Sequence, residues 1–269
     1  MIKIGAICPH PPIAVPEVGR GEDREVAATQ EAMLKVGRRI KGSGADTLII
    51  ISPHIPVMRD AILLNVSNPL TGGLAQFNAP SVHFELEPDR GLAREIQAQA
   101  NAAGLKTLLV GDGRGRKVEL DHGVTVPLYF LRKAGVDLPL LTVSINFWEL
   151  DRLYNYGKII ASVAKKIGRK IAIVASSDLS HRLLPSAPAG YDVRGKEFDA
   201  EYKRIVEDMD AHGILNIDPE LVERAGQCGL RPTVMFFGAL EGQKVESEVL
   251  SYEGPFGVGY LVAELKPSG

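Results

Sequence analysis

Residues 2–13 read IKIGAICPHPPI, an apolar run from Ile2 to Ile7 followed almost at once by a histidine, His10, held between Pro9 and Pro11. The run is short, carries β-branched residues and is closed by proline, which predicts a buried strand rather than a helix. Proline fixes its own φ and biases the residue before it away from helix, so His10 stands on a turn that cannot wind up. The pattern recurs along the chain. Thr47 to Ser52 leads into Pro53-His54, and Ile171 to Ala175 leads into SSDLSH, which ends at His181.

Further strands are expected at Ala61 to Val66, Val82 to Leu86, Lys106 to Val110, Leu138 to Ile145, Glu246 to Tyr252 and Val258 to Ala263. Between them lie longer amphipathic segments, expected as helices over Asp23 to Lys41, Asp89 to Ala103, Val124 to Ala134, Glu149 to Ile167 and Arg194 to Ala211. A last helix, Pro219 to Leu240, is expected to break near Gly226 and Gly229. In the first of them Val26, Met33, Val36, Gly37 and Ile40 share a face, while Arg24, Glu31, Lys35 and Arg38 can face water. Strands alternating with helices imply an α/β fold: a largely parallel or mixed central sheet flanked by helices. The Pro/Gly-rich stretches at 8–21, 67–81 and 184–192 are too short and too embedded to separate domains, so residues 1–269 are read as one domain.

At 269 residues with a formal net charge of -2, the chain has an ordinary globular composition and no excess of either sign. Binding to nucleic acid or to an anionic membrane is therefore not expected. The densest basic cluster, Arg114, Arg116 and Lys117, reads as a solvated loop. Cys8 and Cys228 form no CxxC pair, there is no signal-peptide pattern, and no apolar stretch approaches the ~18 residues of a membrane span. These features predict a cytoplasmic protein.

Three of the six histidines follow or end a strand, and in open α/β sheets ligands bind beyond the carboxyl ends of the strands. A single histidine after a strand is most often a hydrogen-bonded loop residue. Three in equivalent places can converge on one crevice. A fourth, His122, follows Asp121 in ELDHGVTVPL, just before a helix, and the aspartate could orient it. His83, in mid-strand, and His212, near a helix end, read as structural. Ser176, Ser177 and Asp178 are not set in a GxSxG elbow, and their expected use is to orient His181. GDGRGR is neither GxGxxG nor a P-loop, and HExxH is absent. Two histidines with one carboxylate leave adjacent positions open on ferrous iron, which suits a bidentate substrate beside O₂, and further imidazoles can move protons.

CPHPP at the N-terminus, SPH after the second strand, DHGVTVPL and SSDLSH together resemble the class III extradiol ring-cleavage dioxygenases, the superfamily of the protocatechuate 4,5-dioxygenase catalytic subunit. The resemblance runs from residue 1 to about 263 with the motifs in the family's order. It implies a single α/β domain, non-haem Fe(II) or another divalent metal, and opening of a catechol or aminophenol ring with O₂. His10 and His54 would be metal ligands, and His122 and His181 the acid-base pair.

For the third ligand, the segment ERAGQCGLRP carries Gln227 where close relatives have glutamate. Its neutral amide can coordinate but removes a negative charge. Glu223, one helical turn earlier, and Cys228 are the alternatives, the latter because the similar MEMO branch uses a cysteine near here. A thiolate favours softer ions such as copper(I) or zinc. Two functions follow: an Fe(II) extradiol dioxygenase, or a non-catalytic relative, either the partner subunit of a heteromeric dioxygenase or a MEMO-like metal-binding protein. The resemblance also implies a homodimer or a hetero-oligomer with a related subunit.

Overall fold

Each expected strand is extended in the computed structural model, which describes residues 1–111, 113 and 118–268. The basic cluster Arg114, Arg116 and Lys117 lies outside the described residues. The strands are β1 (Ile2–Cys8), β2 (Thr47–Ser52), β3 (Ile62–Asn65), β4 (Leu70–Leu74), β5 (Ala79–Leu86), β6 (Thr107–Val110), β7 (Leu140–Ser144), β8 (Ile171–Ser176), β9 (Val245–Glu253) and β10 (Tyr260–Pro267). The helices are α1 (Pro16–Gly19), α2 (Ala27–Gly42), α3 (Arg90–Ala102), α4 (His122–Lys133), α5 (Leu150–Lys166), α6 (Arg194–Asp208), α7 (Ala211–Leu215), α8 (Pro219–Ala225) and α9 (Leu230–Leu240).

Eight strands form one mixed sheet in the order β6-β3-β7-β2-β8-β1-β10-β9, so the fold is single-domain α/β. Its four middle strands, β7, β2, β8 and β1, run parallel. Successive side chains of a strand point to opposite faces, and β2 is apolar on both: Ile49 and Ile51 enter one core, Leu48 and Ile50 the other. The first core is closed by α3, α5, α6 and α9, the second by α2, α4 and the β4–β5 hairpin. Helices α5 and α9 approach closely through glycine. A Cβ on Gly157 would collide with the Met235 carbonyl oxygen, and one on Gly238 with that of Tyr154.

Three elements differ from the sequence expectation. The Pro/Gly-rich residues 67–81, where no strand is expected from the sequence, contain β4, which pairs with β5 in a separate two-stranded sheet. Gly72 and Gly73 weaken the local strand signal, and Gly72 is there because Leu120 sits where its Cβ would be. The first long helix begins only at Ala27, after a 3-10 turn over Glu22–Val26. The helix expected to reach Ala211 stops at Asp208, where Met209 turns left-handed (φ 52°) and Asp210 caps α7 through Gly213 N–H at 2.7 Å. The expected break in the last helix is present, with Gly226 at φ 61° closing α8.

Candidate metal centre

Strand register assembles the site. Cys8 pairs with Ser176, Ile51 with Ala175 and Ser52 with Ser144, so the carboxyl ends of β1, β8, β2 and β7 finish level. Two residues past three of these ends stand His10, His54 and Asp178, and register alone brings them to one edge.

His10 is almost fully buried, at 1% exposure. Its Nε2 lies 3.0 Å from Nε2 of His54 and 3.5 Å from Sγ of Cys228. Its Nδ1 lies 2.8 Å from Ser176 Oγ, and its backbone N–H donates to Asp178 Oδ1 at 2.8 Å. The other carboxyl oxygen of Asp178 is 3.7 Å from His10 Nε2. His122, the first residue of α4, stacks on His54 with ring centres 4.2 Å apart and meets the ring of Phe77 edge-on. His181 lies beyond β8, its backbone N–H bound to the Ala225 carbonyl and its buried Nδ1 without a partner among the described residues.

These surroundings keep the imidazoles neutral. Burial lowers the His10 pKa well below its usual range, helped by the nearby His54, His122 and His181. Loss of hydration and the proximity of His122 bring His54 down to about 4, against the opposing pull of Asp121. Burial also lowers His122 and His181. It has the opposite effect on acids, raising the Cys228 thiol and lifting Asp178 to about 7. Neutral imidazoles carry the lone pairs that a metal ion or an acidic proton requires.

The third corner of this arrangement is the sulfur. His10, His54 and Cys228 each offer a ligand atom within 4.8 Å of the others, the one such group among the described residues. The 3.0 and 3.5 Å separations suit bonds of ~2.1 Å from nitrogen and ~2.3 Å from sulfur to a shared centre. The donor set therefore fits a metal ion. Gln227 is turned elsewhere, its amide oxygen accepting the backbone N–H of Leu230 at 2.7 Å at the start of α9. Glu223 is exposed on α8, in a surface cavity of about 350 Å³ with Leu150, Val222 and Arg231.

Sequence reading assigned Ser176 and Asp178 to the orientation of His181. The structure turns both onto His10, because β8 is paired in register with β1. Asp121 accepts a hydrogen bond from Ser52 Oγ at 2.7 Å, and the same Ser52 oxygen accepts the His54 backbone N–H. Ser52 and Phe77 were not singled out from the sequence. Ser52 was readable as the last residue of a strand before a Pro-His turn; Phe77 carries no local signal and arrives through the β4–β5 hairpin.

A family model described as the catalytic LigB subunit of aromatic ring-opening dioxygenase matches residues 5–263. The chain belongs to this family, within the class III extradiol dioxygenase superfamily. Among curated relatives, Protein CA_C1420 of Clostridium acetobutylicum is 35% identical over 264 residues, covering 97% of this chain and 56% of that protein. MEMO1 family protein TK1477 of Thermococcus kodakarensis is 27% identical over 183 residues, covering 65% of this chain and 60% of its own length. MEMO1 family protein Mbar_A1422 of Methanosarcina barkeri is 26% identical, covering 93% and 78%. The chain thus spans little more than half the length of the first two. The crystal structure of an uncharacterized protein, JW3007, from Escherichia coli K12 aligns with a TM-score of 0.69 at 17% identity, covering 97% of this chain and 99% of that one. At that identity the likeness speaks for the fold alone. Among the described residues, no helix is long and apolar enough to cross a membrane.

Proposed function

We propose that this LigB-family chain is a MEMO-like metal-binding protein holding one ion through His10, His54 and Cys228. The observation that carries this reading is the Cys228 sulfur 3.5 Å from His10 Nε2, with the Gln227 oxygen committed to Leu230. Two imidazoles and a thiolate favour copper(I) or zinc over a set completed by a carboxylate. Binding would draw the proton from Cys228, since only the thiolate is a strong ligand.

A second reading, Fe(II)-dependent extradiol cleavage of a catechol or aminophenol with O₂, is favoured by one specific observation. His122 stacks on His54 with ring centres 4.2 Å apart, and burial favours the neutral form of both His122 and His181, the form that can take a phenolic proton. A bound Fe(II) would supply adjacent positions for the diol and O₂. On this reading His122, stacked on His54 and walled by Phe77, and His181 would each take a phenolic proton and, once protonated, return the proton they took to the product. Phe147, Tyr191 and Val193, exposed on loops after β7 and β8, would suit association as a homodimer or with a related subunit.

Anaerobic loading with copper(I), zinc or Fe(II), followed by O₂ and a panel of catechols and aminophenols, separates the two. Tight binding of one copper or zinc per chain, without yellow ring-cleaved product from the Fe(II) form, is expected. Ring cleavage that disappears in His10→Ala would overturn the first reading in favour of the second.

A further inference from the structure

Helix α4 contains a proline, Pro127, one turn after Gly123. In an α-helix the carbonyl of residue 123 is normally bound by the N–H of residue 127, and proline has none. The Gly123 carbonyl is therefore left open. Ser176, the fully buried last residue of β8, fills the gap by donating its hydroxyl proton to that carbonyl oxygen.

A serine hydroxyl has a single proton and two acceptor lone pairs. With the proton directed at Gly123, Ser176 Oγ faces His10 Nδ1 at 2.8 Å only as an acceptor. Nδ1 must then carry the imidazole proton, which leaves the lone pair on Nε2. Nε2 is the atom that faces His54 and Cys228. An opposing influence is present, because Asp178 Oδ2 lies 3.7 Å from Nε2 and would favour a proton there. Without the serine, His10 would be drawn toward the tautomer whose Nε2 has no lone pair to offer a metal ion.

We infer that Pro127 and Ser176 are positioning residues: by opening the Gly123 carbonyl and filling it, they hold His10 in the tautomer whose Nε2 can accept a metal ion. The affinity arm of the test rests on the metal-binding reading above; the tautomer arm does not. The same relay ties β8 and His10 to the helix that begins with His122, so the two histidines keep a common reference.

The test uses the metal-free chain of residues 1–269 labelled with ¹⁵N-histidine, at a fixed pH of ~8 where free imidazole is neutral. Long-range ¹H–¹⁵N spectra should show the His10 proton on Nδ1 in the wild type. Ser176→Ala removes the acceptor, and Pro127→Ala returns a competing N–H to Gly123; both should move population to the Nε2–H form. Zinc affinity, measured by chelator competition, should fall ~10–100-fold in Ser176→Ala, the range seen when the group behind a ligand is lost. Ser176→Thr, which keeps the hydroxyl, should retain most of it. A wild-type His10 protonated on Nε2, or a tautomer unchanged in both Ala variants, overturns the inference. Correct tautomer behaviour in a wild type that binds no zinc, copper or iron would uphold the relay and overturn the metal-binding reading alone.

Discussion

Gln227 Oε1 accepts the backbone N–H of Leu230 at 2.7 Å, capping the first turn of α9, and the next residue, Cys228, turns its sulfur to 3.5 Å from His10 Nε2. A carboxylate at 227 can accept the same bond and sits better at the positive end of a helix, by about 0.3–1 kcal/mol. Gln227→Glu should therefore raise the thermal midpoint slightly and leave metal affinity unchanged. Titrating Fe(II) and zinc into both proteins checks this; a gain of about tenfold for Fe(II), or ~1.4 kcal/mol, would show that residue 227 reaches the ion.

Cys228→Ser should weaken zinc binding by more than the ~10–100-fold typical of groups behind the ligands. In the cobalt(II)-loaded protein it should also abolish the sulfur-to-metal charge-transfer band.

Metal affinity should rise with pH. Burial holds the Cys228 thiol above its ordinary range, so at neutral pH it is protonated and must release its proton on binding. Calorimetry in buffers of different ionisation enthalpy should detect about one proton released per ion, and none from this position in Cys228→Ser.

Gly123 is hemmed in by the site. A Cβ there would collide with Ser52 Oγ, lie 2.8 Å from Asp121 Oδ1 and approach His54 Cδ2 to 3.3 Å. Gly123→Ala is expected to cost about 1–3 kcal/mol by overpacking and to displace His54. Chemical denaturation reads the first effect and metal titration the second.

Asp199 of α6 accepts the Ser180 N–H and the Tyr252 hydroxyl, yet burial lifts its carboxyl from 3.8 to about 7. A raised folded-state pKa means that the folded protein holds the proton more tightly. Its contribution is fully present below the unfolded value of 3.8 and is lost as pH rises through about 7. Across that window stability should fall by at most about 1.4 kcal/mol per pH unit from this group. Asp199→Asn should flatten the slope, as unfolding midpoints at pH 4 to 8 would reveal.

Strand and helix positions were legible because burial on both faces leaves long β-branched runs such as Thr47–Ser52, and amphipathic helices repeat at 3.6 residues. The β4–β5 hairpin was not, because Gly72 and Gly73 are selected by the approach of Leu120 and of the Val82 carbonyl, contacts that local propensity does not carry. Likewise, the break at Met209 depends on a left-handed residue with no glycine to announce it.

The sequence by itself determined that His10, His54 and His181 follow or end strands and that prolines keep two of those turns from becoming helix. It left Gln227, Glu223 and Cys228 as competing donors, since neighbours in a chain can point in any direction once a helix starts among them. The tertiary structure decided which one faces His10. Capping of α9 engages the Gln227 amide, α8 carries Glu223 to the surface, and the parallel register of β1 with β8 aligns His10 with Ser176 and Asp178. Spacing along a strand is a local property; the distance between strand ends is set by which strands are neighbours, and only the folded sheet establishes that.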